Sequence, residues 1–223
     1  MKLQLAKYDA ALPDDVYLAL AITGGVEDDD QRHTGFLVRS FDDENFLFHL
    51  GFNNGYRKNR MGSKYDYLLV PALEPETANS IITFLVMLLE NTGGNVQYSI
   101  AWESEEYFDA DGKLMKVAAV DGFTCATFVL ETMKRYGLDL VDRQTWPLTE
   151  GNKDWQIDML NNKLQLPVEQ YLAQFDVVGK YPRIKPEEAL GAAHYYVGDL
   201  LPYPKVAPAA VEVVSEMRRL KAE

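Results

Sequence analysis

The alternation of apolar and polar positions in the first part of the chain predicts four strands. Residues 16–22 are almost continuously apolar, which is typical of a buried strand. Residues 64–70 alternate between apolar and polar side chains and predict another strand. Residues 33–40 and 45–50 lie close together in the chain and predict the two strands of a hairpin.

The register of this hairpin decides which face of the sheet carries its two histidines. The turn is predicted at Asp42-Asp43. If the loop has an odd number of residues, the apolar side chains of both strands share one face, and His33 and His49 share the other. An even loop would place His33 among apolar side chains, which is unfavourable for a polar ring. We therefore expect His33 and His49 on one face.

Two helices are predicted after the strands. The first begins near Glu74, with Pro75 in its first turn, and ends at Gly93-Gly94. The second lies within residues 121–137, where apolar side chains recur at helical spacing. Both patterns predict helices that pack one apolar face against a core.

Cys125, the only cysteine of the chain, lies in the first turn of the second predicted helix. There, unpaired main-chain N–H groups and the helix dipole favour a thiolate over a thiol. The same N–H groups can hold the oxyanion that forms when a carbonyl is attacked. The alternative is a buried structural thiol, since free cysteine is among the most buried residue types.

The character of the sequence changes after Asp142, where prolines recur between short amphipathic segments. These segments predict four helices, over residues 154–161, 168–175, 186–195 and 208–221. No polar linker separates them from the preceding part, so we predict a core domain of residues 1–142 and a helical extension of residues 143–223 packed on it. His194 lies in this extension and is predicted to be a packed or surface histidine.

The composition excludes several classes of function. A chain of 223 residues with 47% hydrophobic residues can bury a sizeable core. Its formal net charge of −12 argues against nucleic acid and anionic membrane surfaces as main partners. No apolar segment is long enough to span a bilayer, and the N-terminal segment lacks the apolar core of a signal peptide. We therefore expect a cytoplasmic protein.

The sequence predicts no cofactor and no metal site. Residues 27–30 form an acidic cluster that could in principle hold a hard cation. They lack the spaced oxygen ligands of a calcium loop, so we interpret them as a solvated run of charges.

The histidines and the cysteine together carry a family resemblance. A cysteine nucleophile needs a base and a third group that orients the base, and two of the three histidines belong to the predicted hairpin. The chain resembles the permuted papain-like thiol hydrolases, in particular the lecithin:retinol acyltransferase-like proteins and the permuted NlpC-type amidases. In that group the histidine strand precedes the cysteine helix, as it does here. The resemblance rests on His33-Thr34-Gly35-Phe36-Leu37-Val38, Phe48-His49-Leu50, Thr124-Cys125-Ala126-Thr127-Phe128-Val129 and Arg135-Tyr136-Gly137.

The resemblance implies both a fold and a set of roles. The fold is α+β, a circularly permuted papain-like antiparallel sheet with packed helices, to which this chain adds its C-terminal helical extension. By the family's pattern Cys125 is the nucleophile, His33 is its base, and His49 is the polar residue that orients His33. Asn53 is the alternative third member, and Tyr17 is a candidate for the second oxyanion donor.

The basic segment after the hairpin is a candidate for substrate binding. Arg57, Lys58 and Arg60 lie within residues 52–63, whose glycine and asparagine content predicts a loop. In the permuted papain-like fold this loop borders the catalytic groove, so we expect it to attract an anionic part of the substrate. The alternative is a solvated turn.

One departure from the family narrows the expected chemistry. Acyltransferase-like members carry Asn before the cysteine and Glu-His after it, where this chain has Thr124, Ala126 and Thr127. The departure argues against a phospholipid acyltransferase more than against the thiol chemistry. We therefore expect a cysteine-dependent hydrolase or acyl transferase that acts on a peptide, protein or acyl substrate, with an amide as the first expectation. The alternative is a binding or regulatory module that keeps the fold without the chemistry.

Overall fold

The computed structural model describes residues 2–27, 31–40 and 44–222. Residues 28–30, which belong to the acidic cluster, and the predicted turn at Asp42-Asp43 lie outside the described residues. The described chain forms a six-stranded antiparallel sheet, six α-helices and a pair of short strands, which confirms the α+β class. None of these helices combines the length and the apolar composition that crossing a bilayer requires.

The main sheet contains the four predicted strands and two further ones. Its order is β1-β6-β2-β3-β4-β5, and neighbouring strands are antiparallel. The predicted strands are confirmed as β2, β3, β4 and β6, whereas β1 and β5 were not predicted. The bounds are β1 (Ala6–Lys7), β2 (Leu18–Gly24), β3 (Arg32–Arg39), β4 (Asn45–Gly51), β5 (Gly55–Arg60) and β6 (Asp66–Leu68).

The prediction of a loop over residues 52–63 is wrong for β5. This strand pairs with β4 along its whole length, from Gly51 opposite Gly55 to Phe46 opposite Arg60. Only one of its six residues, Tyr56, is buried. Because β5 is an edge strand with mostly solvated side chains, it lacks the apolar alternation by which strands are recognised.

The hairpin of β3 and β4 has the predicted register. Phe36 pairs with Phe48, and both side chains belong to the main hydrophobic core. Successive side chains of a strand point to opposite faces, so His33 and His49 lie together on the other face, as predicted. That face carries a smaller cluster formed by Leu12, Ala19, Ala21, Leu37, Leu47, Tyr65 and Tyr67.

Helices α1 (Pro75–Thr92) and α2 (Cys125–Arg135) cover the main apolar face of the sheet. Helix α1 starts directly after Glu74 and ends at Gly93, whose φ of 59° is left-handed, so both predicted ends are confirmed. Helix α2 places Phe128 against Phe36 of β3, with ring centroids 6.3 Å apart. The predicted position of Cys125 in the first turn of α2 is also confirmed.

The four helices predicted in the C-terminal part are confirmed, two of them with different ends. They are α3 (Glu150–Asp158), α4 (Val168–Phe175), α5 (Pro186–Tyr195) and α6 (Tyr203–Ala222). Helix α3 starts earlier than predicted and continues into a π-helical turn, Met159–Lys163. Helix α6 begins before Pro208, which lies inside it. Pro208 is close to the N-terminus of α6, and a proline at such a position removes only one main-chain hydrogen bond of the helix.

The C-terminal helices share the main core with the sheet. Helix α5 packs on α2, β2 and β3. Leu190 and Met217 belong to the same buried cluster as Phe36 and Phe128. Two short parallel strands, β7 (Val141–Asp142) and β8 (Leu201–Pro202), add a further link. The expected packing of the C-terminal helices on the core is therefore present, and the division at residue 142 stays a prediction.

Candidate active site

Threonine side chains hold the start of α2. Thr124 is the N-cap residue, and its hydroxyl accepts a hydrogen bond from the N–H of Thr127 at 3.3 Å. In return, the Thr127 hydroxyl accepts one from the N–H of Thr124 at 2.9 Å. This reciprocal capping box satisfies two main-chain donors and fixes the first turn. Thr124 and Thr127, which depart from the acyltransferase pattern, thus position Cys125.

The sulfur of Cys125 lies in a buried cradle of main-chain donors. The residue is only 7% exposed. Burial raises the pKa of the Cys125 thiol, and the N–H groups of Thr34, Ala126 and Cys125 itself act in the opposite direction, as does the charge of Arg183. The resting group is therefore a thiol that is surrounded by donors able to stabilise negative charge once the proton is removed.

The two histidines of the hairpin are joined by a hydrogen bond. His33 Nε2 lies 2.8 Å from His49 Nδ1, and the two rings are nearly perpendicular, with an interplanar angle of 83°. One ring therefore donates to the other, which fixes the tautomer of His33 relative to His49. In the tautomer in which His33 Nε2 donates to His49, the Nδ1 of His33 has the free lone pair and can accept a proton from a nucleophile.

A glycine provides the space for this histidine pair. Gly35 lies two residues after His33 on the same face of β3. A Cβ atom at Gly35 would come within 2.6 Å of the Phe48 carbonyl oxygen and 2.7 Å of His49 Cβ. Any larger residue at this position would therefore displace His49 from His33.

The surroundings of the pair keep both rings neutral at neutral pH. Burial lowers the pKa of His33 to about 3, with further contributions from His49 and Lys64. Burial also lowers the pKa of His49, and Arg57, which lies opposite it on β5, acts in the same direction. A neutral His33 can accept a proton, which a base must do.

Cys125 approaches the peptide group that links His33 to Thr34. The body of α2 lies on the opposite face of the sheet from the histidine rings, since Phe128 packs on Phe36. The sulfur of Cys125 nevertheless faces the Thr34 N–H, which belongs to that peptide group. No hydrogen bond joins Cys125 and His33 in the described part of the chain. Catalytic hydrogen bonds are often incomplete before substrate binds.

Two further candidates have other roles in the structure. Asn53 has a left-handed main chain, with φ of 60°, and its Oδ1 accepts a hydrogen bond from the N–H of Gln165 at 2.6 Å. It therefore ties the β4–β5 turn to the C-terminal segment. The carbonyl oxygen of Tyr17 accepts a hydrogen bond from the N–H of Arg39, at the end of β3 away from His33, and Tyr17 is 39% exposed.

The third histidine belongs to a different element from the pair. His194 is buried on α5, with its ring 4.7 Å from that of Tyr195. The sequence predicted that His194 is either packed or at the surface, and in the structure it is packed. This makes His194 a suitable control residue for experiments on the hairpin.

The three basic residues of β5 do not form one surface. Arg57 lies on the face of His49. Lys58 lies on the other face, with its Nζ 4.0 Å from the centre of the Phe46 ring. Arg60 pairs with Glu44 at the solvent-exposed edge. Strand alternation places Arg57 on one face and Lys58 and Arg60 on the other, so of the three only Arg57 lies beside the histidine pair.

Three residues near Cys125 were not apparent from the sequence. Tyr98 is buried in the segment between α1 and α2, Tyr65 lies just before β6, and Arg183 lies just before α5. Each of them interacts electrostatically with Cys125. None belongs to a recognisable motif. Pairing with Phe123 brings Tyr98 to the site, and the packing of the C-terminal helices brings Arg183 there.

The buried histidines should make the folded protein sensitive to acid. The pKa of His33 is about 3, against 6.5 for an exposed histidine, so below pH 6.5 the unfolded chain binds a proton that the folded protein excludes. The contribution of His33 to stability is complete above pH 6.5 and is lost as the pH falls toward 3. His33→Gln should therefore flatten the acid loss of unfolding free energy, by up to about 1.4 kcal/mol per pH unit. Urea unfolding across this range measures the slopes, and equal slopes would contradict the prediction.

In the described part of the chain, no three His, Cys, Asp or Glu side chains are grouped so that they could hold a metal ion. Comparisons of the chain with protein-family models, curated proteins and solved structures found no match. The permuted papain-like assignment therefore stays a prediction.

Proposed function

We propose that the protein is a cysteine-dependent hydrolase or acyl transferase that acts on an amide or ester through an acyl-enzyme. The observation that carries this proposal is the 2.8 Å hydrogen bond between His33 Nε2 and His49 Nδ1, together with a Cys125 sulfur that faces the N–H of Thr34, the residue after His33. A histidine oriented by a second polar side chain and close to a helix-terminal cysteine has the parts that thiol catalysis needs.

The proposed reaction has two halves. His33 takes the proton of the Cys125 thiol as the sulfur attacks the carbonyl carbon, and main-chain N–H groups of the first turn of α2 hold the oxyanion. When the tetrahedral intermediate collapses, the C–N or C–O bond breaks and His33 protonates the leaving group. Water or another nucleophile then attacks the thioester, with His33 again as base. His49 orients His33 throughout.

The resting thiol and imidazole are both neutral in this proposal. Burial raises the pKa of Cys125 and lowers that of His33, which disfavours a preformed thiolate–imidazolium pair. The proton therefore moves only when a substrate carbonyl and the oxyanion donors are in place. Reactivity toward simple alkylating reagents should accordingly increase with pH in the alkaline range, where the thiolate forms directly.

A binding or regulatory module without chemistry is the second candidate. Two observations favour it, namely the low exposure of Cys125 and the absence, within the described residues, of a hydrogen bond to His33. In that case the thiol is a structural side chain and the histidine pair is a buried polar link between strands.

Acylation of the native protein separates the two candidates. The protein is mixed with p-nitrophenyl acetate, and intact mass and peptide mapping follow acetylation of Cys125. An enzyme should release p-nitrophenolate in a rapid burst of about one equivalent per chain, because the first half-reaction outpaces the second. Acetylation that occurs only after denaturation would support the module without chemistry. Because the chain has one cysteine, thioester formation has a single possible position.

A further inference from the structure

A cleft lies between α1 and the part of the main sheet where β3 ends and β4 begins. Its volume is about 650 Å³, within the range of about 300–1,000 Å³ that is typical of clefts for small ligands. Helix α1 leaves this part of the sheet incompletely covered, so both surfaces form walls. The apolar side chains of these walls are Val38, Phe46 and Phe48 of the sheet and Ile82 and Val86 of α1.

The cleft is separate from the candidate active site. Phe48 pairs with Lys58 of β5, so both side chains lie on the face of the sheet that α1 covers. His33 and His49 occupy alternate positions of their strands and lie on the other face. Neither histidine lines the cleft, and Cys125 does not line it either. Binding in the cleft therefore does not depend on the proposed acyl transfer.

The charged side chains that line the cleft in the described chain are both basic. They are Arg39 and Lys58, in a protein whose formal net charge is −12. Arg39 donates hydrogen bonds to the carbonyl oxygens of Leu12, at 3.3 Å, and of Asp14, so its guanidinium already has acceptors. Lys58 is therefore the cation that an occupant of the cleft can engage.

The ammonium group of Lys58 lies over the aromatic wall of the cleft. Its Nζ is 4.0 Å from the centre of the Phe46 ring and 5.8 Å from that of Phe48. Cation–π contacts hold the charge above the rings and leave its N–H donors available for an acceptor. Within the described residues no carboxylate forms an ion pair with Lys58. An apolar surface and an available cation thus meet in one cleft.

We propose that this cleft binds a small carboxylate with an apolar body, whose carboxylate contacts Lys58. The apolar body covers the aromatic and aliphatic walls and releases water from them. A single ammonium matches a single negative charge, and no acidic side chain among the described residues lines the cleft to oppose it. A second copy of the chain is a poorer occupant, because two chains of net charge −12 repel each other.

Three compounds with the same eight-carbon chain and different charges test this proposal. Isothermal titration calorimetry on the full chain compares octanoate, 1-octanol and octylammonium. Octanoate should bind to one site and most tightly of the three, and octylammonium most weakly. Lys58→Met keeps an unbranched stem and removes the charge, so it should weaken octanoate binding by about fivefold and leave 1-octanol binding unchanged.

Arg60→Met is the matched control for charge. Arg60 belongs to the same strand and the same face as Lys58, but it pairs with Glu44 and does not line the cleft. This variant changes the net charge equally and should bind octanoate as the wild type does. Equal losses in Lys58→Met and Arg60→Met would overturn the contact with Lys58, as would no loss in either.

A second pair of variants tests the position of the site. Thr83 is exposed on α1 and lines the cleft, so Thr83→Trp should fill it and abolish the binding of octanoate and 1-octanol alike. Met87→Trp places the same ring on α1 outside the cleft and should bind both compounds normally. Melting temperatures verify that each variant is folded. Octanoate binding that survives in Thr83→Trp, or no saturable binding to the wild type, would overturn the proposal. Dimerisation of the wild type that Thr83→Trp abolishes would identify a second copy as the occupant instead.

Discussion

Cys125→Ala should abolish the acylation burst and lower acyl-transfer turnover by roughly 10³-fold or more, because no other side chain can form the thioester. The fold should be nearly unaffected. Cys125 is the first residue of α2, and the capping box of Thr124 and Thr127 that fixes this end of the helix does not involve the sulfur. Truncation removes one small buried group, which should cost about 1 kcal/mol of unfolding free energy.

Activity with p-nitrophenyl acetate and the thermal midpoint should be measured on the same preparations. Cys125→Ser is the conservative partner, since a hydroxyl keeps the volume and is a much poorer nucleophile with this base. Both variants should lose turnover and keep their melting temperature within a few degrees. A variant that loses turnover together with most of its stability would instead identify Cys125 as a structural thiol.

The local features of the site were predictable because neighbouring residues determine them. The start of α2 follows from a turn before Cys125 and an apolar stripe after it. The pairing of His33 with His49 follows from strand alternation, because only one hairpin register buries the apolar side chains together. In both cases a few adjacent positions contain the whole physical argument.

Strand β5 was not predicted because the residues that indicate it lie in the turn before the strand and not in the strand itself. Asn53 and Asn54 both have a left-handed main chain, with φ of 60° and 56°, and they precede Gly55 where β5 begins. Asparagine and glycine favour this conformation, and the pair is a recognisable hairpin signal. The turn could therefore have shown that the chain reverses and pairs with β4, although β5 itself buries little.

The position of Arg183 could not be predicted from the sequence. It depends on α5 packing against α2 and β3, and on Trp155 of α3 lying against the guanidinium. Such contacts join segments that are distant in the chain, and no periodic pattern encodes them. The predicted basic cluster of Arg57, Lys58 and Arg60 is divided by a local effect. Residues adjacent in a strand point to opposite faces, so Arg57 lies on one face and Lys58 and Arg60 lie on the other.

His33→Ala should lower turnover with p-nitrophenyl acetate by roughly 10²- to 10⁴-fold, the range that a general base contributes. The loss of turnover in His49→Asn should be at least about tenfold smaller than in His33→Ala, because asparagine can still form a hydrogen bond with His33 Nε2 and hold the ring. His194→Gln removes the remaining histidine, which is buried on α5, and should leave turnover unchanged. Melting temperatures identify any variant whose loss reflects unfolding.

The pH dependence of the His33→Ala defect distinguishes a base from a structural residue. As the pH rises toward the pKa of the thiol, which burial has raised, the Cys125 thiolate forms without help from a base. The ratio of wild-type to variant acylation rates should therefore shrink with increasing pH. A residue that only packs against the strands would give a constant ratio. A constant ratio, or wild-type turnover in His33→Ala, would remove His33 from the proposed mechanism.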